Sequence, residues 1–127
     1  MSEPAKTPRY PGMAAIEAYG NGGFRFAGMS HRGSIICLPD AIEAWEPGEV
    51  SAVTPDALAA VIALGGKIEL LLLGTGRTHS MPSARVRGAL AEAGIGLDVM
   101  STGAAARTWN ILIAEGRRVA AALIAVD

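Results

Sequence analysis

Ile68-Glu69-Leu70-Leu71-Leu72-Leu73-Gly74-Thr75-Gly76-Arg77 is the stretch on which the fold turns. A short, nearly all-apolar run that stops at glycine reads as a strand buried on both faces, as at the centre of an α/β sheet. Gly74, Thr75 and Gly76 then bring backbone amides to the carboxyl end of that strand. Open α/β sheets place their ligands in a crevice there.

Working outward, Thr54-Pro55-Asp56 opens a helix, with Thr54 as cap, proline at the first position and an acid near the positive end of the dipole. Leu58, Val61 and Ile62 form its buried stripe, and Gly65-Gly66 ends it. Beyond Gly76, the loop Arg77-Thr78-His79-Ser80 leads to Pro82 and a second helix with Val86, Leu90 and Ala93 on one face. Gly94 is the left-handed cap of that helix, with Ile95 as its hydrophobic companion. Gly96-Leu97-Asp98-Val99-Met100 is a short strand. A third helix, capped by Ser101 or Thr102, runs over 103–114 with Ala105, Trp109, Leu112 and Ile113 at core spacing. Val119 to Val126 is a last strand, antiparallel to Leu97–Met100 or beside the central one. Upstream, Ile16 to Trp45 reads as meandering strands with turns at Gly20-Asn21-Gly22-Gly23 and His31-Arg32-Gly33. The order predicts an α/β fold in three layers: a central mixed sheet, flanking helices and an additional strand-rich N-terminal layer. Residues 1–13, polar and proline-rich, read as a flexible arm, and 14–127 as a single α/β domain.

Composition narrows the functional classes. At 127 residues and 50% apolar, the chain can bury a core without staples. Its 11 basic and 12 acidic residues lack the electrostatic footprint of a nucleic-acid binder, so no nucleic-acid partner is expected. Cys37 is the one cysteine, which leaves no disulfide framework, and it reads as a buried strand thiol. No apolar run approaches the ~20 residues of a membrane-spanning helix, and residues 1–15 lack the apolar centre of a signal peptide. The expectation is a cytoplasmic protein with no membrane insertion.

The strand, Gly74-x-Gly76, a helix and a strand carrying Asp98 imitate a dinucleotide-binding unit. The imitation fails because His79 holds the third glycine position and Pro82 delays the helix, so no cofactor is expected. An anion pocket is the more modest reading. It combines amides of Gly74–Gly76, the amino end of the third helix at Thr102-Gly103 and charge-assisted bonds from Arg77 and Arg107. The same residues also read as tight-turn glycines and solvated arginines. Met100, closing the strand before that helix, and Asn110, sharing a helix face with Arg107, complete the candidate ligand or partner crevice. Arg107 suits either an anion clamp or a brace to a carbonyl or to Asp98. Nothing else demands an anion, which favours the brace. His31 and His79 have no metal-ligand spacing with each other or with Cys37, so no metal site is expected, and both histidines read as surface turn residues. No nucleophile, base and acid fall into a catalytic arrangement, and no catalytic residue is assigned. Trp45 and Trp109 read as core or interface residues.

Several of these segments together resemble a known family: Leu72-Leu73-Gly74-Thr75-Gly76, Gly94-Ile95-Gly96-Leu97-Asp98-Val99-Met100, Ser101-Thr102, Ala105-Ala106-Arg107-Thr108-Trp109-Asn110 and Glu115-Gly116-Arg117-Arg118-Val119-Ala120-Ala121-Ala122-Leu123. It is the small domain-of-unknown-function family that includes the mitochondrial respiratory complex I assembly factor 3 and a methanogen protein of the same fold. The resemblance runs from about Ile16 to Ile124. Asp98 stands where many members carry Glu, and Trp109 where others carry Tyr or Phe; both swaps keep the chemical character. The resemblance implies the three-layer fold, no established enzymatic activity and no catalytic residue. With the missing catalytic constellation, it leads to the expectation of a non-catalytic binding or assembly-factor-like module with protein partners. The alternative is a small enzyme or sensor that binds an anionic metabolite at Gly74–Gly76. The oligomeric state stays open.

Overall fold

The computed structural model describes residues 9–127. Among these residues the strands are β1 (Arg9–Pro11), β2 (Ile16–Gly20), β3 (Gly23–Phe26), β4 (Met29–Arg32), β5 (Ser34–Cys37), β6 (Ala41–Trp45), β7 (Leu70–Gly74), β8 (Gly96–Met100) and β9 (Val119–Leu123). The helices are α1 (Ala59–Ile62), α2 (Ala84–Glu92) and α3 (Thr102–Ala114). One sheet has the order β1-β6-β5-β9-β7-β8, and a second, three-stranded sheet has the order β2-β3-β4.

The leucine run is the centre of this arrangement. β7 pairs in parallel with both β8 and β9, whereas β5 is antiparallel to β9 and to β6. The large sheet is therefore mixed, and Val119–Leu123 lies beside the central strand. Successive side chains of a strand point to opposite faces. Leu71 and Leu73 accordingly enter a core with Val61, Val86 and Leu90 on the α1 and α2 side. Leu72 enters the other core, with Trp109, Ala105 and Phe26, beneath α3 and the small sheet. Ala120, Ala121 and Ala122 of β9 are all fully buried. Their small side chains let helices approach closely on both faces, which explains an alanine-rich strand at the sheet centre.

The helix expected between Thr54 and Gly65 is broken into pieces. Thr54 does cap: its Oγ1 accepts from Ala57 N at 3.1 Å. Asp56–Leu58 is then a 3₁₀ turn, α1 has only four residues, and Gly65–Lys67 is a further 3₁₀ turn. Gly65, at φ 49°, stops the helix before it can lengthen. The other boundaries agree with expectation. Ser83 caps α2, and Gly94 stands left-handed after it with Ile95 N donating to Leu90 O.

Two expectations in the N-terminal region need correction. Of the arm expected over 1–13, residues 1–8 lie outside the described residues, and Arg9–Pro11 is a strand paired antiparallel with Ala41–Glu43. Side chains anchor it. Arg9 meets Glu43 at 2.8 Å, the Tyr10 ring stands edge-on to Phe26 at 5.1 Å, and the Tyr10 hydroxyl hydrogen-bonds with His31 Nδ1 at 3.0 Å. Pro11 is tolerated because β1 is an edge strand. His31 is consequently no surface turn residue; it sits in β4 and is 8% exposed. The hairpin turns instead at Ala27-Gly28, both with positive φ, as it does at Asn21-Gly22 one hairpin earlier. Cys37 is buried as expected, and burial pushes its thiol pKa well up.

Candidate functional site

The carboxyl end of β7 runs directly against the amino end of α3. A Cβ on Gly74 would lie 2.9 Å from Thr102 Cα and 3.2 Å from the Ala105 Cβ, so glycine is what allows this approach. The next two residues are tied into the fold through their polar groups. Thr75 N donates to Met100 O at 2.9 Å. Thr75 Oγ1 donates to Thr78 O at 2.7 Å and accepts from Ser80 N at 3.0 Å, closing the loop that follows. Gly76 N donates to Thr102 Oγ1 at 2.9 Å, and that hydroxyl donates to Ile124 O at 2.7 Å. Thr102 N in turn donates to Gly76 O at 2.8 Å. One fully buried threonine thus joins β9, the glycine turn and the start of α3. Ser101 Oγ caps α3 by accepting from Ala104 N at 3.4 Å.

These bonds change the reading of the crevice. The amides of Thr75 and Gly76 point into the fold, not at a ligand. A concavity of about 280 Å³ does open above them, lined by Gly76, Arg77, Gly103 and Arg107 together with Tyr19, Ser101, Val126 and Asp127. Gly74, Thr75 and Thr102 form the buried support beneath it. Arg77 Nη2 donates to Asp127 O at 3.1 Å. Arg107 is exposed and has no hydrogen-bond or ion-pair partner among the described residues, so the brace favoured from sequence does not form.

Met100 and Asn110 stand elsewhere. Met100 Sδ accepts from Thr108 Oγ1 at 3.6 Å across the β8–α3 contact. Asn110 grips the start of β2: its Oδ1 accepts from Ile16 N at 2.7 Å and its Nδ2 donates to Ile16 O at 2.9 Å. Trp109 Nε1 donates to Ala14 O at 2.9 Å, so both residues clamp the small sheet onto α3. Tyr19 is the residue that sequence reasoning missed. It lies on β2 and its ring covers Gly103, which lacks the Cβ that would strike the Tyr19 hydroxyl. Only the pairing of a bare glycine at a helix start with a half-exposed tyrosine hints at it.

Among the described residues no three His, Cys, Asp or Glu side chains gather at one point, and no helix is long and apolar enough to cross a membrane. Among the described residues, no buried side-chain nitrogen or oxygen lacks a hydrogen-bond partner.

Residues 16–124 match the family described as "Protein of unknown function (DUF498/DUF598)". The chain belongs to this family. An uncharacterized protein of Rhodobacter capsulatus is 40% identical over 92% of this chain and 91% of its own length. NADH dehydrogenase [ubiquinone] 1 alpha subcomplex assembly factor 3 of Danio rerio is 37% identical over 86% of this chain. The match spans only 63% of that longer protein. A crystal structure described as an outer membrane protein from Bartonella henselae superposes with a TM-score of 0.88 at 49% identity, over 93% of this chain and 99% of that one. The DUF498/DUF598 membership thus covers nearly all of the described residues, and the mixed-sheet architecture expected from sequence agrees with that solved structure.

Proposed function

We propose that this chain is a non-catalytic binding module of the assembly-factor kind. In this reading it holds a protein partner during biogenesis of a respiratory or other membrane complex. The observation that carries the reading is the 37% identity to an NADH dehydrogenase assembly factor over 86% of this chain. The geometry is compatible with it: the polar groups of the glycine turn close on the fold, and the crevice above them presents two exposed arginines and a tyrosine instead of a reactive constellation. A cytoplasmic location goes with this reading and is tested by fractionation. The function is tested by purifying tagged chain from its own cells after brief cross-linking. Subunits or assembly intermediates of one membrane complex should be recovered reproducibly. Recovery of the free chain or of its homo-oligomer alone, under several lysis conditions, contradicts the reading.

A second reading has one observation in its favour. Arg77 and Arg107 line the same concavity beside Gly76, as a small enzyme or sensor for an anionic metabolite requires. A thermal-shift screen with phosphates, nucleotides and carboxylates separates the two. A ligand at 100 times its Kd stabilises the native state by about 2.7 kcal/mol. A flat screen at millimolar ligand rules out the metabolite reading.

A further inference from the structure

β8 is the outermost strand on its side of the six-stranded sheet. Its pairing with β7 engages alternate residues: Gly96 N donates to Glu69 O at 3.0 Å, and Met100 O accepts from Thr75 N at 2.9 Å. In a parallel ladder the intervening residues, Leu97 and Val99, therefore turn their N–H and C=O groups away from β7. None of these four groups has a hydrogen-bond partner among the described residues. Beside them lies an open concavity of about 460 Å³ whose apolar wall includes Met81, Leu90, Ile95, Leu97 and Val99, with His79 and Arg87 on its polar side. Met81 is 53% exposed. Asp98, between Leu97 and Val99, leaves the strand on the alternate face of the pleat, although the residue also borders this concavity; it is exposed and has no ion pair among the described residues.

An edge with free donors and acceptors is a template for an added strand. Charge decides which strand fits. In an antiparallel pair, a second copy satisfies all four groups only by setting Leu97 opposite Val99. That register places two Asp98 carboxylates directly opposite each other, with Cβ atoms about 4.5–5.5 Å apart, a destabilising like-charge pair. Registers shifted along the strand would recruit Ile95 or Ser101. Ile95 N already donates to Leu90 O, and Ser101 O already accepts from Ala105 N. Asp98 thus opposes self-pairing and favours a different chain with a base at that position. We propose that the β8 edge binds an extended segment of a partner protein. Its Lys or Arg lies opposite Asp98, and the flanking apolar side chains lie over the groove beside Met81. This rests on the protein-binding reading above and adds to it the surface and the chemistry of the bound segment.

The test selects a displayed library of random decapeptides against the purified chain and follows the winning peptide by amide hydrogen exchange. Enriched sequences are expected to carry Lys or Arg between two apolar residues. Binding should slow exchange of the Leu97 and Val99 amides at least ~10-fold, since these edge amides are otherwise open to water. Asp98→Lys, at an exposed position, should keep the fold and exchange the central base for Asp or Glu. Val99→Pro removes an outward donor without breaking a bond to β7, and should weaken the winning peptide at least ~10-fold. A library without binders, binders indifferent to Asp98→Lys, or a free chain already self-associated with Leu97 and Val99 protected would each overturn the inference. If cellular partners co-purify equally with wild type and Asp98→Lys, the inference falls and the assembly reading stands. If wild type recovers none while the selected peptides obey the charge rule, the assembly reading falls and the edge site stands.

Discussion

Thr102→Val separates a structural glycine turn from a ligand-binding one. The side chain is fully buried, and its hydroxyl accepts from Gly76 N at 2.9 Å and donates to Ile124 O at 2.7 Å. Valine keeps the shape and removes the hydroxyl, so the buried Ile124 carbonyl and the part-buried Gly76 amide lose their partner. Each unpaired group costs about 1–3 kcal/mol. The methyl that replaces the hydroxyl returns about 1 kcal/mol. The net is a destabilisation of about 1–5 kcal/mol, centred near 3. Thr102→Ser is the control: it keeps both hydrogen bonds and gives up one buried methyl, at about 1 kcal/mol. Urea unfolding followed by far-ultraviolet circular dichroism measures both. With a slope of about 1–3 kcal/mol per molar, the valine variant should move the midpoint down by roughly 1–3 M and the serine variant by much less. A valine variant as stable as the serine variant, at equal slope, would refute the claim that Thr102 ties the turn to α3 and β9.

The two glycines of the site should differ. Gly74→Ala drives a Cβ against backbone and core and should cost about 1–3 kcal/mol. Gly103→Ala meets only the half-exposed Tyr19 and gains helix propensity, so its urea midpoint should correspond to a change within ~1 kcal/mol. Ala27 holds a left-handed φ of 51°, which costs an L-residue roughly 1–2 kcal/mol. Ala27→Asn should therefore raise unfolding free energy by about 0.5–1.5 kcal/mol in the same assay. Burial holds the Cys37 thiol protonated well above the ordinary thiol range. Its contribution is fully present below the pH at which the unfolded thiol ionises, and is lost as pH rises from there towards the folded pKa. Urea midpoints should decline through the alkaline range and decline less in Cys37→Ala, and iodoacetamide should label native chain only as fast as it unfolds.

What could be read from sequence was whatever local chemistry alone determines. The leucine run before Gly74, the Asn21-Gly22 turn and the Gly94 cap each carry their cause within a few residues. The Ala27-Gly28 turn does not, because alanine rarely adopts a left-handed conformation and only cross-strand pairing holds it there. β1 was illegible for the same reason: Tyr10 is anchored by Phe26 and His31, which lie on another layer. Gly76, Arg77, Gly103 and Arg107, grouped from sequence, do line one concavity. Its amides, however, are turned inward, Thr75 N to Met100 O and Gly76 N to Thr102 Oγ1, contacts visible only once β8 and α3 are docked. Asn110 shares a helix face with Arg107 in projection, yet its partner is the backbone of Ile16, and no spacing rule connects them.

The most direct measurement of the assembly-factor account is the native profile of membrane complexes in cells lacking this chain, compared with the same cells complemented. The account predicts that one complex, NADH dehydrogenase foremost, falls in its mature form while its subunits are still synthesised and smaller intermediates accumulate. Mature complexes at wild-type levels, with no intermediate accumulating in the deletion strain, would contradict it.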